Sequence, residues 1–107
     1  MIKLKDFQKI ELRVARVLEA QNIENTQKLI RLKVDLGDEQ RQLIAGLRPA
    51  YQDKDLIGKQ VIVLVNLEPR PILGNLSQGM LLAAIDKNGN PVLISPERSV
   101  DSGAQVK

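Results

Sequence analysis

The chain has 107 residues, of which 43% are hydrophobic, and a formal net charge of +3, as expected for one domain spanning residues 1–107. It contains no Cys and no His, which excludes disulfides, thiol nucleophiles, Cys-ligated metals and the commonest general base. No apolar run is long enough for a signal peptide or a transmembrane helix, so we expect a soluble, cytoplasmic protein.

Three strands are predicted in the first half of the chain. Residues 11–20 are rich in Val and Leu, and their alternation breaks at residues 17–18, where a β-bulge would let the strand curl around a barrel. Residues 29–35 alternate between apolar and charged side chains, which predicts a half-buried strand with a charged outer face. A turn at residues 37–38 then leads into a return strand at residues 41–45.

A short helix and two more strands are predicted in the second half. Asp53 can cap a single helical turn over residues 53–58, and the final glycine of that segment can end it. Residues 60–66, QVIVLVN, predict a strand buried on both faces. Prolines, a glycine and an asparagine make residues 66–77 a long ordered loop, and residues 78–85 follow as the fifth strand.

The order of these elements is typical of the all-β OB-fold, a five-stranded Greek-key barrel with one short helix between the third and fourth strands. Ligands of this fold usually lie on strands two and three, between loops that here span residues 21–28 and 67–77. We place the barrel at about residues 8–86. A turn at residues 88–89 opens a C-terminal β extension over about residues 87–107.

Charge and composition favour binding over catalysis. Residues 1–33 hold eight Lys or Arg and four Asp or Glu, a modest indication of a polyanionic partner, although a solvated surface would look the same. The carboxylates are scattered singly, with no phosphate-binding glycine loop and no metal-ligand cluster, so we expect no enzyme, no cofactor and no metal. Phe7 and Tyr51 are too few to stack the bases of a single strand, whereas shape recognition of a folded RNA needs fewer aromatics.

Motifs spread over nearly the whole chain resemble one known family. They begin with DFQKIELRVARV at residues 6–17 and continue with KLIRL (28–32), VDLG (34–37), AG (45–46), LIGK (56–59), NL (66–67), PR (69–70) and SQGM (77–80). No single motif is decisive, but their order and spacing resemble the structure-specific tRNA-binding domain. That domain occurs as a free-standing dimeric protein and as the C-terminal domain of methionyl-tRNA synthetases.

The resemblance implies an OB barrel that binds folded tRNA by shape and backbone without sequence readout. It also implies a homodimer formed through the C-terminal extension, and it suggests an aminoacyl-tRNA synthetase as a further partner. Whether the chain is free-standing or an excised synthetase domain stays open. Two alternatives also stay open, namely a secretion-type OB-fold chaperone that binds peptides and a purely structural dimerisation domain of a synthetase.

The RNA-binding residues that the resemblance suggests lie on strand two, in the two flanking loops and at the ends of the strands next to the second loop: Lys28, Arg31, Lys33, Asn66, Arg70, Ser77, Gln78 and Met80. Arg31 and Lys33 alternate on one face, about 7 Å apart, although a charged solvent-facing strand would look alike. Arg70 stands between two prolines that limit its backbone, and its guanidinium suits bidentate phosphate contact. Met80 could instead pack in the barrel, and Asn66 could instead satisfy loop backbone groups.

Two positions in the second loop depart from the family. Glu68 and Pro71 stand where members usually carry basic residues. Losing two phosphate contacts would lower both RNA affinity and its salt dependence.

Overall fold

The computed structural model describes all residues from Met1 to Lys107. One short helix, a 3₁₀ helix and ten strands follow one another along the chain: α1 Leu4–Phe7, β1 Leu12–Asn22, β2 Leu29–Asp35, β3 Gln40–Gly46, the 3₁₀ helix Asp53–Asp55, β4 Gln60–Leu64, β5 Arg70–Ile72, β6 Asn75–Ser77, β7 Met80–Leu81, β8 Ala83–Ile85, β9 Pro91–Leu93 and β10 Gln105–Val106. No helix here is long and apolar enough to cross a membrane.

The main sheet has the strand order β3-β2-β1-β4-β7, with every pairing antiparallel. It curls until β3 meets the end of β6 and the residues that follow it. There the Gln78 backbone N–H donates to the Gln42 carbonyl over 2.8 Å, and the Ile44 N–H donates to the Ser77 hydroxyl over 3.0 Å. These bonds complete a nearly closed five-stranded barrel, so the predicted all-β OB-like fold is confirmed.

A bulge in β1 makes this closure possible. Residues 12–16 of β1 pair with β4, whereas residues 16–22 pair with β2, and the register with β2 shifts between Val17 and Glu19. This confirms the bulge predicted at residues 17–18, and Leu18 is partly exposed there. One strand thereby bends across two sides of the barrel.

The core consists of aliphatic side chains from β1 to β4 and the segments next to them: Ala15, Val17, Ile30, Leu32, Val34, Leu36, Leu43, Leu47, Leu56, Val61, Val63 and Val65. The inward residues of β2 alternate with exposed charged ones, which confirms the predicted half-buried strand. In β4, three consecutive residues, Val61, Ile62 and Val63, are buried, which confirms the prediction that both faces of this strand are covered.

The helical segment after β3 differs from its prediction in its first residue. The Gln52 backbone occupies the cap position, and no side chain caps the 3₁₀ helix. The Asp53 carboxylate instead accepts the backbone N–H of Asn22 over 3.1 Å, because the end of β1 lies beside it. Gly58 has a φ of +88°, so the predicted glycine end of this segment is confirmed.

The chain after β4 contains more elements than predicted. The expected loop 66–77 holds the β5–β6 hairpin, whose turn at Leu73-Gly74 has positive φ at both residues. Such a turn usually carries Asn or Asp at its first position, so the sequence, with Leu73 there, did not indicate it. The single strand expected over residues 78–85 is two strands, because β7 ends the barrel wall while β8 turns away to pair with β9.

Two sets of side-chain hydrogen bonds stabilise the C-terminal half of the chain. Asp86 accepts the backbone N–H groups of Asn88 and Asn90 at 2.8 and 2.9 Å, which stabilises the predicted turn between β8 and β9. These bonds, that to Asn90 foremost, hold the pKa of the Asp86 carboxyl below its ordinary value of 3.8. Farther on, Arg13 donates to the carbonyls of Gly103 and Leu36 at 3.1 and 3.0 Å, and β10 then pairs with the start of β1.

Candidate nucleic-acid interface

A groove crosses the outer face of β1, β2 and β3. The cross-strand pairs Gln21–Arg31 and Glu19–Lys33 form its floor, and Gln42 continues the second row on β3. The cavity here measures about 420 Å³. This is the face that OB folds use for oligonucleotides.

Two flanking segments form the walls of the groove. The loop of residues 23–28 rises on one side, and the β5–β6 hairpin rises on the other. Asn75 of the hairpin, Ile23 of the loop and Arg31 of the floor line one recess between them. The bulge in β1 and the curl of the sheet bring these segments together although about fifty residues separate them in the chain.

The charge in the groove is modest and positive. Arg31 hydrogen-bonds to the Gln21 amide oxygen, which orients the guanidinium along the floor. Lys33 forms no ion pair and lies opposite Glu19 on the neighbouring strand. Arg70 is exposed on β5 and its side chain forms no hydrogen bond within the chain, so its guanidinium donors are free for a ligand.

Arg48 holds the loop of residues 23–28 in place. One of its terminal nitrogens lies 2.7 Å from the Thr26 carbonyl and 3.1 Å from the Leu29 carbonyl, with Ile23 O at 3.3 Å. These acceptors span the loop from its first residue to the start of β2. A single guanidinium therefore ties both ends of this wall to the segment after β3.

Arg41 holds the opposite wall of the groove in place. It donates to the carbonyl of Val65, where the hairpin segment starts, and to that of Gln78, where it ends. Its other side pairs with Glu39, and this hydrogen bond holds the pKa of the Glu39 carboxyl below its ordinary value. Both walls of the groove are thus fixed before any ligand binds.

Three of the residues predicted to contact RNA are engaged in the fold. Ser77 is fully buried, accepts the Ile44 N–H and donates to the Gly79 carbonyl over 3.0 Å. The Gln78 amide oxygen accepts the Gln42 N–H over 2.9 Å. The Ser77 hydroxyl and the Gln78 amide oxygen thus bond within the seam that closes the barrel, and neither residue lines the groove. Their contact with RNA stays a prediction.

Asn66 also has a structural position. Its side chain accepts the Glu11 N–H over 2.9 Å and donates to the Lys9 carbonyl over 2.7 Å. It thereby fixes the entry into β1 and fulfils the alternative expectation of satisfying backbone groups.

The remaining predicted residues divide between surfaces. Arg31 and Lys33 share the groove floor, and Arg70 lies on the hairpin wall. Lys28 is exposed where the loop meets β2, and its carbonyl accepts the N–H groups of Leu47 and Arg48. Met80 is 38% exposed and lies on a separate apolar face, so it belongs neither to the core nor to the groove.

The two departures noted in the sequence leave Arg70 as the sole cation of the hairpin wall. Glu68 is exposed just before β5, and Pro71 pairs with Leu76 within the hairpin. The positive charge of this wall is correspondingly low.

Several residues of the groove escaped prediction. Gln21, Gln42 and Asn75 line it, and Arg41 and Arg48 fix its walls. Cross-strand parity could have identified Gln21, since the predicted bulge places it on the same face as Arg31. The wall contacts of the two arginines are with residues 19 or more positions distant in the chain, for which no local pattern exists.

Comparisons with known proteins identify the family of the chain. The family model described as "Putative tRNA binding domain" matches residues 12–105. The methionine–tRNA ligase of Archaeoglobus fulgidus is 46% identical over 105 residues, which cover 98% of this chain and 16% of that protein. The chain thus spans only a small part of the length of this relative.

Two solved structures share the whole fold. The MetRS related protein from Pyrococcus horikoshii matches with a TM-score of 0.94 and 36% identity, covering 100% of this chain and 98% of that one. The chaperone CsaA from Bacillus anthracis matches with a TM-score of 0.92 and 29% identity, covering 100% and 99%. The fold is therefore common to proteins of different printed function, and sequence identity is higher to the MetRS-related one.

Proposed function

Because the chain belongs to the tRNA-binding domain family, we propose that it binds folded tRNA in the groove between the loop of residues 23–28 and the β5–β6 hairpin. The observation that carries this proposal is the position of Arg31 and Lys33 on the floor of a groove with two fixed walls. Hydrogen bonds from Arg48 hold one wall, and hydrogen bonds from Arg41 hold the other. Recognition is of shape and backbone, without readout of sequence.

The groove residues suit phosphate and ribose rather than bases. Arg31, Lys33 and Arg70 offer cations for phosphate oxygens, with Lys28 at the loop end as a further contact. Gln21 and Asn75 offer amides, which can bond to 2′-hydroxyl groups. No aromatic side chain lines the groove, so stacking does not contribute to binding there.

We assign the chain a binding role without chemistry of its own. Its groove presents donors for holding a ligand, and the long methionine–tRNA ligases that it resembles extend far beyond the matched part. Such a domain, free-standing or as the C-terminal domain of a methionyl-tRNA synthetase, raises the effective tRNA concentration at a catalytic partner. Cytoplasmic localisation belongs to this proposal.

Homodimerisation is the second part of the proposal. An apolar face runs from the end of β3 across β7 to the β8–β9 hairpin, and Ile85 is 67% exposed there, with Met80 at 38%. A second copy on this face would cover these side chains. A symmetric dimer would then present two grooves to one L-shaped RNA. Sedimentation of the wild type and of Ile85→Lys tests this, since the variant should sediment as a monomer.

The function is tested by fluorescence anisotropy of labelled tRNA at several salt concentrations. The variant Arg31→Ala/Arg70→Ala removes two groove cations, and Lys87→Ala, at the exposed β8–β9 turn, is the matched control. We expect the double variant to bind more weakly and to reduce the slope of log K against log salt by about 1.4–1.8, since each phosphate contact contributes about 0.7–0.9. The control should bind as the wild type does.

Competitors identify the mode of binding. Heat-denatured tRNA and single-stranded DNA should fail to displace folded tRNA. If wild-type protein binds no tRNA at low salt but retains affinity for unfolded polypeptide at high salt, the chaperone reading replaces this one. A dimer without either affinity would indicate a structural dimerisation domain.

A further inference from the structure

A second basic pocket lies on the outer surface of the barrel, away from the groove. It measures about 340 Å³ and forms where residues 95–99 of the C-terminal extension pass over the junction of β1 and β4. Its charged residues are Arg16, Lys59, Arg98 and Glu97. Three cations therefore face one carboxylate.

Hydrogen bonds hold the walls of this pocket. The Gln60 side chain clasps the backbone of Val100, donating to its carbonyl over 2.6 Å and accepting its N–H over 3.1 Å. On the opposite side, the Tyr51 hydroxyl accepts the Leu93 N–H over 3.1 Å. The irregular segment between β9 and β10 is thus attached on both sides of the pocket, which preorganises it for a ligand.

Arg16 supplies oriented donors at the pocket floor. It donates from one terminal nitrogen to the Gly58 carbonyl over 2.7 Å and from the other to the Ser99 hydroxyl over 3.1 Å. Two of its five N–H donors are used, so three remain. Ser99 accepts this bond and keeps its own hydroxyl proton to donate. Fixed guanidinium and hydroxyl donors between two exposed cations suit a tetrahedral oxyanion.

The pocket shares a strand with the groove. Arg16 and Gln21 both point outward from β1, on either side of the bulge. Five residues separate them, which corresponds to about 16 Å along a strand. A polyanion lying in the groove and following the outer surface of β1 would therefore reach the pocket.

We propose that the pocket of Arg16, Lys59, Arg98 and Ser99 binds a backbone phosphate of the same RNA that occupies the groove. This inference rests on the proposed function for its source of phosphate, and on the pocket alone for its chemistry. It extends the RNA footprint across the bulge of β1 and onto the C-terminal extension. It also adds positive charge that the hairpin wall lacks at Glu68 and Pro71.

The first experiment measures the salt dependence of tRNA binding for Lys59→Ala and Arg98→Ala, with Lys87→Ala as the matched control. Arg16 is left intact because it bonds within the fold. Each pocket variant should bind more weakly and lower the slope of log K against log salt by about 0.7–0.9, while the control changes neither. Pocket variants that behave like the control would overturn the assignment to RNA.

The second experiment separates the pocket from the groove. Inorganic phosphate is titrated into ¹⁵N-labelled wild-type protein at constant ionic strength, with chloride as reference. We expect the amide signals of Lys59 and Ser99 to shift with phosphate, and Lys59→Ala/Arg98→Ala to abolish the shift at Ser99. Shifts without any change in tRNA salt slope would mean a site for free phosphate and refute the RNA source. If wild-type protein binds no tRNA, the proposed function fails, and the phosphate titration alone tests the pocket. The absence of phosphate-dependent shifts would then refute the proposal that the pocket binds phosphate.

Discussion

Replacing Ser77 by Ala should destabilise the protein without removing a contact to RNA. The Ser77 side chain is fully buried, and its hydroxyl joins the Ile44 N–H to the Gly79 carbonyl at 3.0 Å each. Alanine leaves a donor and an acceptor unpaired inside the barrel seam. A buried unsatisfied group costs about 1–3 kcal/mol, and the carbonyl loses less than the donor because it has a second lone pair, so we expect about 2–4 kcal/mol in all.

Urea unfolding followed by circular dichroism measures this cost. With an m value of about 2 kcal/mol/M, the middle of the usual range, the midpoint should fall by about 1–2 M. Ser95→Ala is the matched control, since Ser95 is exposed and forms no hydrogen bond, and it should change stability by less than about 0.5 kcal/mol. Below its unfolding midpoint, the Ser77 variant should bind tRNA as the wild type does. An unchanged urea midpoint together with lost tRNA binding would refute this reasoning and restore Ser77 as an RNA contact.

Three further predictions follow from single features. Arg48→Met should accelerate amide hydrogen exchange within residues 23–28 and weaken tRNA binding, because the loop loses its clamp; unchanged exchange there would contradict this. Gly79→Ala should unfold at much lower urea than Gly58→Ala: both glycines have positive φ, but a Cβ at Gly79 would lie 2.9 Å from a backbone oxygen of β4, whereas the space at Gly58 is open. Because the pKa of Asp86 is lowered in the fold, its carboxylate stabilises the protein at pH values above the ordinary pKa of 3.8, and this stabilisation is lost as the pH falls through the pKa of the folded state. The variant Asp86→Asn should therefore unfold at lower urea than the wild type at neutral pH and lose less stability than the wild type in acid.

Most of the fold could be predicted from the local alternation of apolar and polar residues. The alternation in β2 and its interruption in β1 are properties of neighbouring residues, and both predicted the observed strands and bulge. The family resemblance drawn from the ordered motifs is confirmed by the match over residues 12–105. The β5–β6 hairpin was missed because its turn begins with Leu73, a residue that rarely adopts positive φ.

The site was harder to predict because closure of the barrel decides which polar groups are free. Arg31 and Lys33 lie on the groove floor as strand parity indicated. Ser77 and Gln78 look like loop-end donors in sequence, yet the Ser77 hydroxyl and the Gln78 amide oxygen accept backbone N–H groups of β3. Arg13 and Arg16, counted in the basic first third, bond to carbonyls of the fold instead of adding free charge to the groove.

The pairing of β10 with β1 bears on self-association. At its first residues β1 has β4 on one side, while β2 pairs only from Arg16 onward, so the other edge would be bare. Leu12 and Arg13 pair there with Val106 and Gln105, and the Val14 N–H donates to the Ala104 carbonyl. An uncovered strand edge is a template for intermolecular β pairing. Strand β10 thus covers an edge of β1 that could otherwise pair with another molecule, and detachment of β10 would expose this edge to aggregation.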